Sequence, residues 1–266
     1  MELATLYIVR GQGFGSDFTP KLIASTIAIA LVIWDWCRQR RTDYAFVFLV
    51  GTVLWACAEL FLAIQGIRDM PIRILMGKPI GLPLSVLIQG MSEGAFVAVT
   101  GLFVGDRILN RSSRIGGFQL GVCALVAISA SVVRSRQFLE SKQAWSRRDV
   151  LDPRALTALM LMILIVIVFF VVYRAWRKRI GIMFFCMAAM AAVWTIMQVV
   201  IGGRWVEIDV AGHGYTHASP SITVAVLAFD AVVEIAFIYS SFLAIPVALR
   251  FLRNPVPLPR TPRGFS

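Results

Sequence analysis

Charge is what this sequence has least of. Only 15% of its 266 residues are Asp, Glu, Lys or Arg, while 58% are hydrophobic; soluble domains average about 25% charged and about 45–50% apolar. So little charge cannot cover two globular surfaces, and the scarcity excludes a soluble enzyme, a DNA-binding domain and a disordered chain. Histidine occurs twice, too rarely for a His-ligated membrane di-iron oxygenase. The four cysteines, Cys37, Cys57, Cys123 and Cys186, include no CxxC pair, so they read as reduced thiols inside helices and not as a disulfide framework or zinc site. No GxSG serine motif and no P-loop is present. Gly105-Asp106 stands alone, without the second motif an intramembrane aspartyl protease needs. Lysine occurs four times and never in the last apolar block, so a retinal Schiff base of the usual rhodopsin type is excluded there. No internal repeat of the inverted-transporter kind is evident.

What is present is long apolar runs. A bilayer-spanning helix needs about 20 mostly apolar residues, and seven blocks qualify: 19–37, 44–66, 81–105, 115–133, 155–174, 180–202 and 221–249. They are too long for barrel strands, and backbone groups in lipid must be satisfied internally. The expected fold is therefore all-α, a polytopic seven-helix bundle. Residues 1–18 form an external segment, 19–252 the membrane domain and 253–266 a proline-rich cytoplasmic tail. The first 18 residues lack the layout of a cleavable signal peptide, so the first block is expected to direct insertion. Of the 26 basic residues behind the net charge of +11, 22 are arginines, a bias that points to a GC-rich bacterial genome; the apolar blocks then place the chain in the inner (plasma) membrane. These bases sit in short runs between apolar blocks, as in a membrane protein and not a nucleic-acid binder. With the N-terminus outside, fourteen fall on the cytoplasmic side against twelve outside; the short clusters at 38–41, 107–114 and 174–179 favour that orientation. The external segment 134–154 is read either as an interfacial helix or as a solvated loop. Asp152 before Pro153 reads as an N-cap.

An ionisable group at helix centre costs about 2.5–3.5 kcal/mol on insertion scales, so it normally faces a bundle interior or cavity. Glu59, Glu93, Asp230 and Glu234 are such groups. At about 1.5 Å per residue, Glu59 lies about 10 Å from the outer end of its helix and the other three about 13–20 Å below that surface. Asp230 and Glu234 are one turn apart. Ser85, Gln89, Glu93 and Thr100 form one stripe, flanked by Gly90 and Gly94, a small-xxx-small pair suited to close helix approach or to a protein partner. Trp55, Trp194, Thr195 and Gln198 complete a polar interior, whereas the fifth block has no polar face and is expected to meet lipid. No Lys or Arg lies deep in a span to neutralise the carboxylates, so some are expected to be protonated or to hold a cation.

The loop after the sixth block carries both histidines, His213 and His217, with Glu207 and Asp209 nearby. Imidazole and carboxylate suit a divalent metal, but Gly212 and Gly214 break the helix on which His-x-x-x-His acts as ligand spacing. Polar side chains facing solvent are the preferred reading and a metal site the lesser one. The leading expectation is an acid-lined intramembrane cavity that binds, and can translocate, a proton, cation or small amphipathic solute. Glu93 is its central acceptor, Asp230 and Glu234 its partners, and Gln89 and Gln198 neutral donors. The runner-up is a non-catalytic sensor or accessory subunit, docking through Gly90/Gly94 or the C-terminal tail; a lipid-modifying enzyme ranks third.

Overall fold

The computed structural model describes residues 5–11, 15–39, 42–110, 145–200, 202–209 and 214–252. The fourth block and the proline-rich tail lie outside the described residues. The fold is mostly helical, and six helices are long and apolar enough to cross a membrane. Helix α1 is Thr19–Gln39 and α2 is Asp43–Ile64. Helix α3 begins as Leu82–Gln89, widens to π-helix over Gly90–Phe96 and continues as Val97–Asn110. Helices α4 (Pro153–Val172) and α5 (Arg177–Val200) are joined by a single 3-10 turn. Helix α6 repeats the plan of α3: Pro220–Ala228, a π segment Phe229–Ile235, then Ala236–Ala248.

Local sequence sets these boundaries. Asp152 caps α4 as expected, accepting from the Arg154 and Ala155 amides, with Pro153 in the first turn. Ser219 and Pro220 do the same for α6. Helix α3 lies at the centre because its glycines admit neighbours on two sides. A Cβ on Gly90 or Gly94 would lie 2.4 Å from the Thr52 or Gly51 carbonyl oxygen of α2, and one on Gly101 would lie 2.2 Å from Met187 of α5. The close approach expected at Gly90/Gly94 is therefore made within the chain, against α2. Tyr44, Leu102, Met183, Met187, Phe242 and Leu243 fill the bundle core. Helix α4 leaves Met160, Leu161, Leu164, Ile167, Val168 and Val171 exposed along its flank, as its uniformly apolar sequence requires of a lipid-facing helix.

The segments between helices depart from the all-helical expectation. At the end of the bundle where α2 finishes and α3 begins lies an antiparallel five-stranded sheet in the order β2-β5-β1-β6-β7. Its strands are β1 (Thr5–Gly11), β2 (Arg68–Asp69), β5 (Trp145–Asp149), β6 (Arg204–Asp209) and β7 (Tyr215–His217). A small hairpin, β3 (Ile74–Leu75) with β4 (Lys78–Pro79), lies beside it. The segment read as an interfacial helix or loop is thus a strand over 145–149, and residues 134–144 lie outside the described part. Strand pairing is long-range: β1 bonds to residues more than 130 positions away, beyond the reach of local periodicity. Ile8, Val150, Val206 and Leu227 bury the sheet's inner face against α6.

Candidate functional site

Strand alternation divides the sheet's side chains between two faces. Leu6, Ile8 and Arg10 of β1, Ser146 and Arg148 of β5, and Arg204 and Val206 of β6 turn toward the helices, as does Arg68 of β2. The register sets Arg68 opposite Arg148 and Arg10 opposite Arg204. Like charges directly across a ladder repel, so this basic inner face requires compensation from outside the sheet.

The intramembrane carboxylates supply it. Glu59 of α2 bonds Arg68 at 3.0 Å. Glu93, in the π segment of α3, bonds Arg10 at 3.1 Å and Lys21 of α1 at 2.9 Å, and accepts from Gln89 at 3.3 Å. Arg148 bridges Asp230 (2.8 Å) and Glu234 (2.6 Å), both in the π segment of α6. Arg204 reaches Asp230 at 2.5 Å and also donates to Thr195 and Gln198 of α5. The expectation that the carboxylates lack basic partners is corrected. The bases come from strands outside the spans and from the first turn of α1, and meet the acids only in three dimensions.

The four carboxylates therefore converge as ion pairs with five bases. Three of the four, Glu93, Asp230 and Glu234, lie in the two π-helical stretches, and such bulges are frequent at functional sites. Trp55 stacks on Tyr239 with centroids 5.4 Å apart, and the Tyr239 hydroxyl donates to the Glu93 carbonyl oxygen. Trp194 is half-buried on α5. The arginines of the centre fall into two kinds. Burial alone lowers a guanidinium pKa, but at Arg10 the Glu93 and Asp230 charges overcome it, and at Arg148 Glu234 and Asp230 do, so both are raised. At Arg68 and Arg204 burial wins over the attraction of Glu59 and Asp230, and both are lowered. The Nε–H groups of these same two arginines are buried without an acceptor among the described residues.

The sheet's other face carries a separate group. Arg147 makes two bonds to Glu207, at 3.0 and 2.7 Å, and lies 3.5 Å from the Tyr215 ring centroid and 4.2 Å from that of Trp145. His217 is exposed on β7 opposite Glu207, and His213 lies outside the described residues. Among the described residues no group of three or more His, Cys, Asp or Glu side chains could hold a metal. At the opposite end of the bundle Arg179 of α5 pairs with Asp43 of α2 and with Asp106 of α3, which also accepts from Tyr44 at 2.8 Å.

Sequence reasoning located the carboxylates and missed the arginines. The signal available for them was alternation: Leu6-Tyr7-Ile8 leading to Arg10, and Arg204-Trp-Val-Glu-Ile-Asp. No family model matches the chain, and no curated protein or solved structure shows significant similarity to it.

Proposed function

We propose that this is a seven-span protein of the cell's inner membrane, N-terminus outside, whose ion-paired centre binds and translocates a proton or a small charged solute. Support for the seventh crossing is topological: α3 ends at Asn110, at the end of the bundle away from the sheet, and the described chain resumes at Trp145 within the sheet. The chain thus changes ends of the bundle between those two residues, which supports an odd number of crossings there. The inner clusters of Lys and Arg support the orientation.

One observation carries the functional reading. Glu93, in a locally widened helix, holds two bases that arrive from different elements, β1 and α1. Protonating or displacing that carboxylate releases both β1 and α1 from α3, which links occupancy of the site to a change of shape. The test is flux in proteoliposomes. The wild-type chain is expected to carry a proton or solute current that Glu93→Gln reduces at least tenfold while the protein remains folded; undiminished flux in Glu93→Gln, or no flux from the wild type, defeats the reading.

The runner-up is a non-transporting sensor or accessory subunit, favoured by the outer face of the sheet, where Tyr215 is half exposed beside Arg147 and Trp145. A tightly associated partner together with absent flux distinguishes it.

A further inference from the structure

Away from the sheet the bundle carries a second buried charge cluster. Arg179, in the first turn of α5, grips Asp106 of α3 as a fork, with Nε at 2.8 Å and Nη2 at 2.6 Å, and the same Nη2 bonds Asp43, the first residue of α2. Tyr44 donates to Asp106 at 2.8 Å, and the Trp176 ring centroid lies 5.6 Å from Arg179 Cζ. Arg179, Asp43 and Asp106 are 6%, 1% and 0% exposed. One guanidinium thus clamps three helices together at a single point.

The same three helices meet the sheet's arginines near their other ends. Glu59 of α2 bonds Arg68, Glu93 of α3 bonds Arg10, and Thr195 and Gln198 of α5 accept from Arg204. From Glu93 to Asp106 the distance along α3 is about 20 Å at the helical rise. The interval between these two charged layers is apolar, filled by Val99, Leu102, Met183, Met187 and Leu243, each at most 1% exposed. Within it, Gly101 of α3 faces Met187 of α5, and a Cβ on Gly105 would lie 3.2 Å from Ile182 Cγ2 and 3.6 Å from the Met183 nitrogen. With no side chain at these two positions, α3 adds no knob to the seam there, and the Arg179 fork is the polar bond that closes it. Arg179 Nη1 is also buried without an acceptor among the described residues, so parting the helices hydrates a donor that the closed form leaves unsatisfied.

We infer that the Arg179 cluster is the inner gate of the translocation route. The inference rests on the transport reading and adds its second barrier: a charge released at Glu93 crosses the apolar interval and leaves only when Arg179 lets go of Asp106. With both charged layers ion-paired, the structure is a form shut at both ends.

Two measurements on the full chain test this. Cys186 is 7% exposed and lies about two turns from Arg179 along the same side of α5; Ala191, 6% exposed, lies beyond Met187 toward the sheet. The protein is placed in nanodiscs with its other cysteines replaced by serine. Arg179→Gln is expected to speed the reaction of Cys186 with N-ethylmaleimide at least tenfold, and to leave an Ala191→Cys probe (in Cys186→Ser) as slow as before. Exposure of both positions reports loss of the fold, and exposure of neither reports a static brace; either overturns the gate. Arg179→Lys keeps the charge but not the fork, so it gives a smaller acceleration, and it carries the comparison if Arg179→Gln does not fold. The second measurement locks the end shut with every charge in place. Gly105→Cys and Ile182→Cys, in an otherwise cysteine-free chain, are close enough to join as a disulfide. Oxidation is expected to cut proteoliposome flux at least tenfold and dithiothreitol to restore it. Undiminished flux in the locked protein overturns the gate and leaves the transport reading standing. Selective exposure of Cys186 in Arg179→Gln, with no flux from the wild type, does the reverse: the inner end opens, in a protein that does not transport.

Discussion

Arg148 stands between Asp230 and Glu234 as a bridge, one guanidinium nitrogen bonding both carboxylates of a single wide helical turn. A strand of the sheet is thereby fastened to two costly buried polar groups of α6. The arrangement makes the sheet part of the bundle's electrostatics: without it, two neighbouring carboxylates on α6 face each other while Arg204 bonds just one of them, Asp230.

Arg148→Gln is expected to destabilise the protein by about 3–5 kcal/mol, the usual effect of removing one partner from a buried ion pair. Adding Glu234→Gln removes the stranded charge and is expected to restore at least half of the loss. Thermal unfolding in detergent measures both; an Arg148→Gln midpoint equal to the wild type would show that the bridge contributes nothing.

The same substitution at two glycines is expected to act with opposite signs. Gly94→Ala drives a methyl group to 2.4 Å from the Gly51 carbonyl oxygen and 2.5 Å from Trp55 Cβ, prising α2 from α3 at about 1–3 kcal/mol. At Gly181 of α5 the nearest atom is on the Phe170 ring, 3.8 Å away, and Ala there raises stability by up to about 1 kcal/mol through helix propensity. Paired melting curves check the contrast.

Orientation is accessible to single-cysteine labelling. Cys37 is exposed at the far end of α1, and Leu151, 49% exposed, sits beside the sheet. In an otherwise cysteine-free chain, Leu151→Cys is expected to react with an impermeant maleimide added to intact cells, and Cys37 only after the inner face is opened. The reverse pattern inverts the topology.

Asp152 carries a pH dependence confined to acid. Bonds from the Arg154 side chain, then from the Arg154 and Ala155 amides, hold its carboxyl down to about 2, below the ordinary value near 3.9. Its capping contribution is therefore complete above about pH 4 and is lost as pH falls through about 2. Hydrogen exchange at the first turn of α4 is expected to accelerate in that window, and Asp152→Asn, which keeps an acceptor oxygen, to remove the pH dependence.

The spans were legible because membrane helices are written in contiguous residues. Blocks such as 155–174 need no partner to be recognised, and the expense of burying Glu59, Glu93, Asp230 and Glu234 marks them without a structure. The sheet was not legible in the same way. Its central strand, Thr5–Gly11, lies between neighbours at 145–149 and 204–209, and nothing within seven residues announces such partners. Arg10, Arg68, Arg148 and Arg204 consequently looked like loop charges of the sort that sets topology. Lys21 lies inside the first apolar block, and nothing local marks it as 8% exposed and bonded to Glu93.

The two wide turns give these helices a mechanical property that a uniform α-helix lacks. Each is bounded on both sides by ordinary helix, so taking up its surplus residue would swing everything beyond it by about 100°, one residue of α-helical rotation. On α3 that motion would carry Asp106 around the axis relative to Glu93, and on α6 it would turn Tyr239 and Ser240 relative to Asp230. Torque applied among the carboxylates would thus reach the opposite leaflet through the helix backbone itself, with no hinge and no unfolding in between.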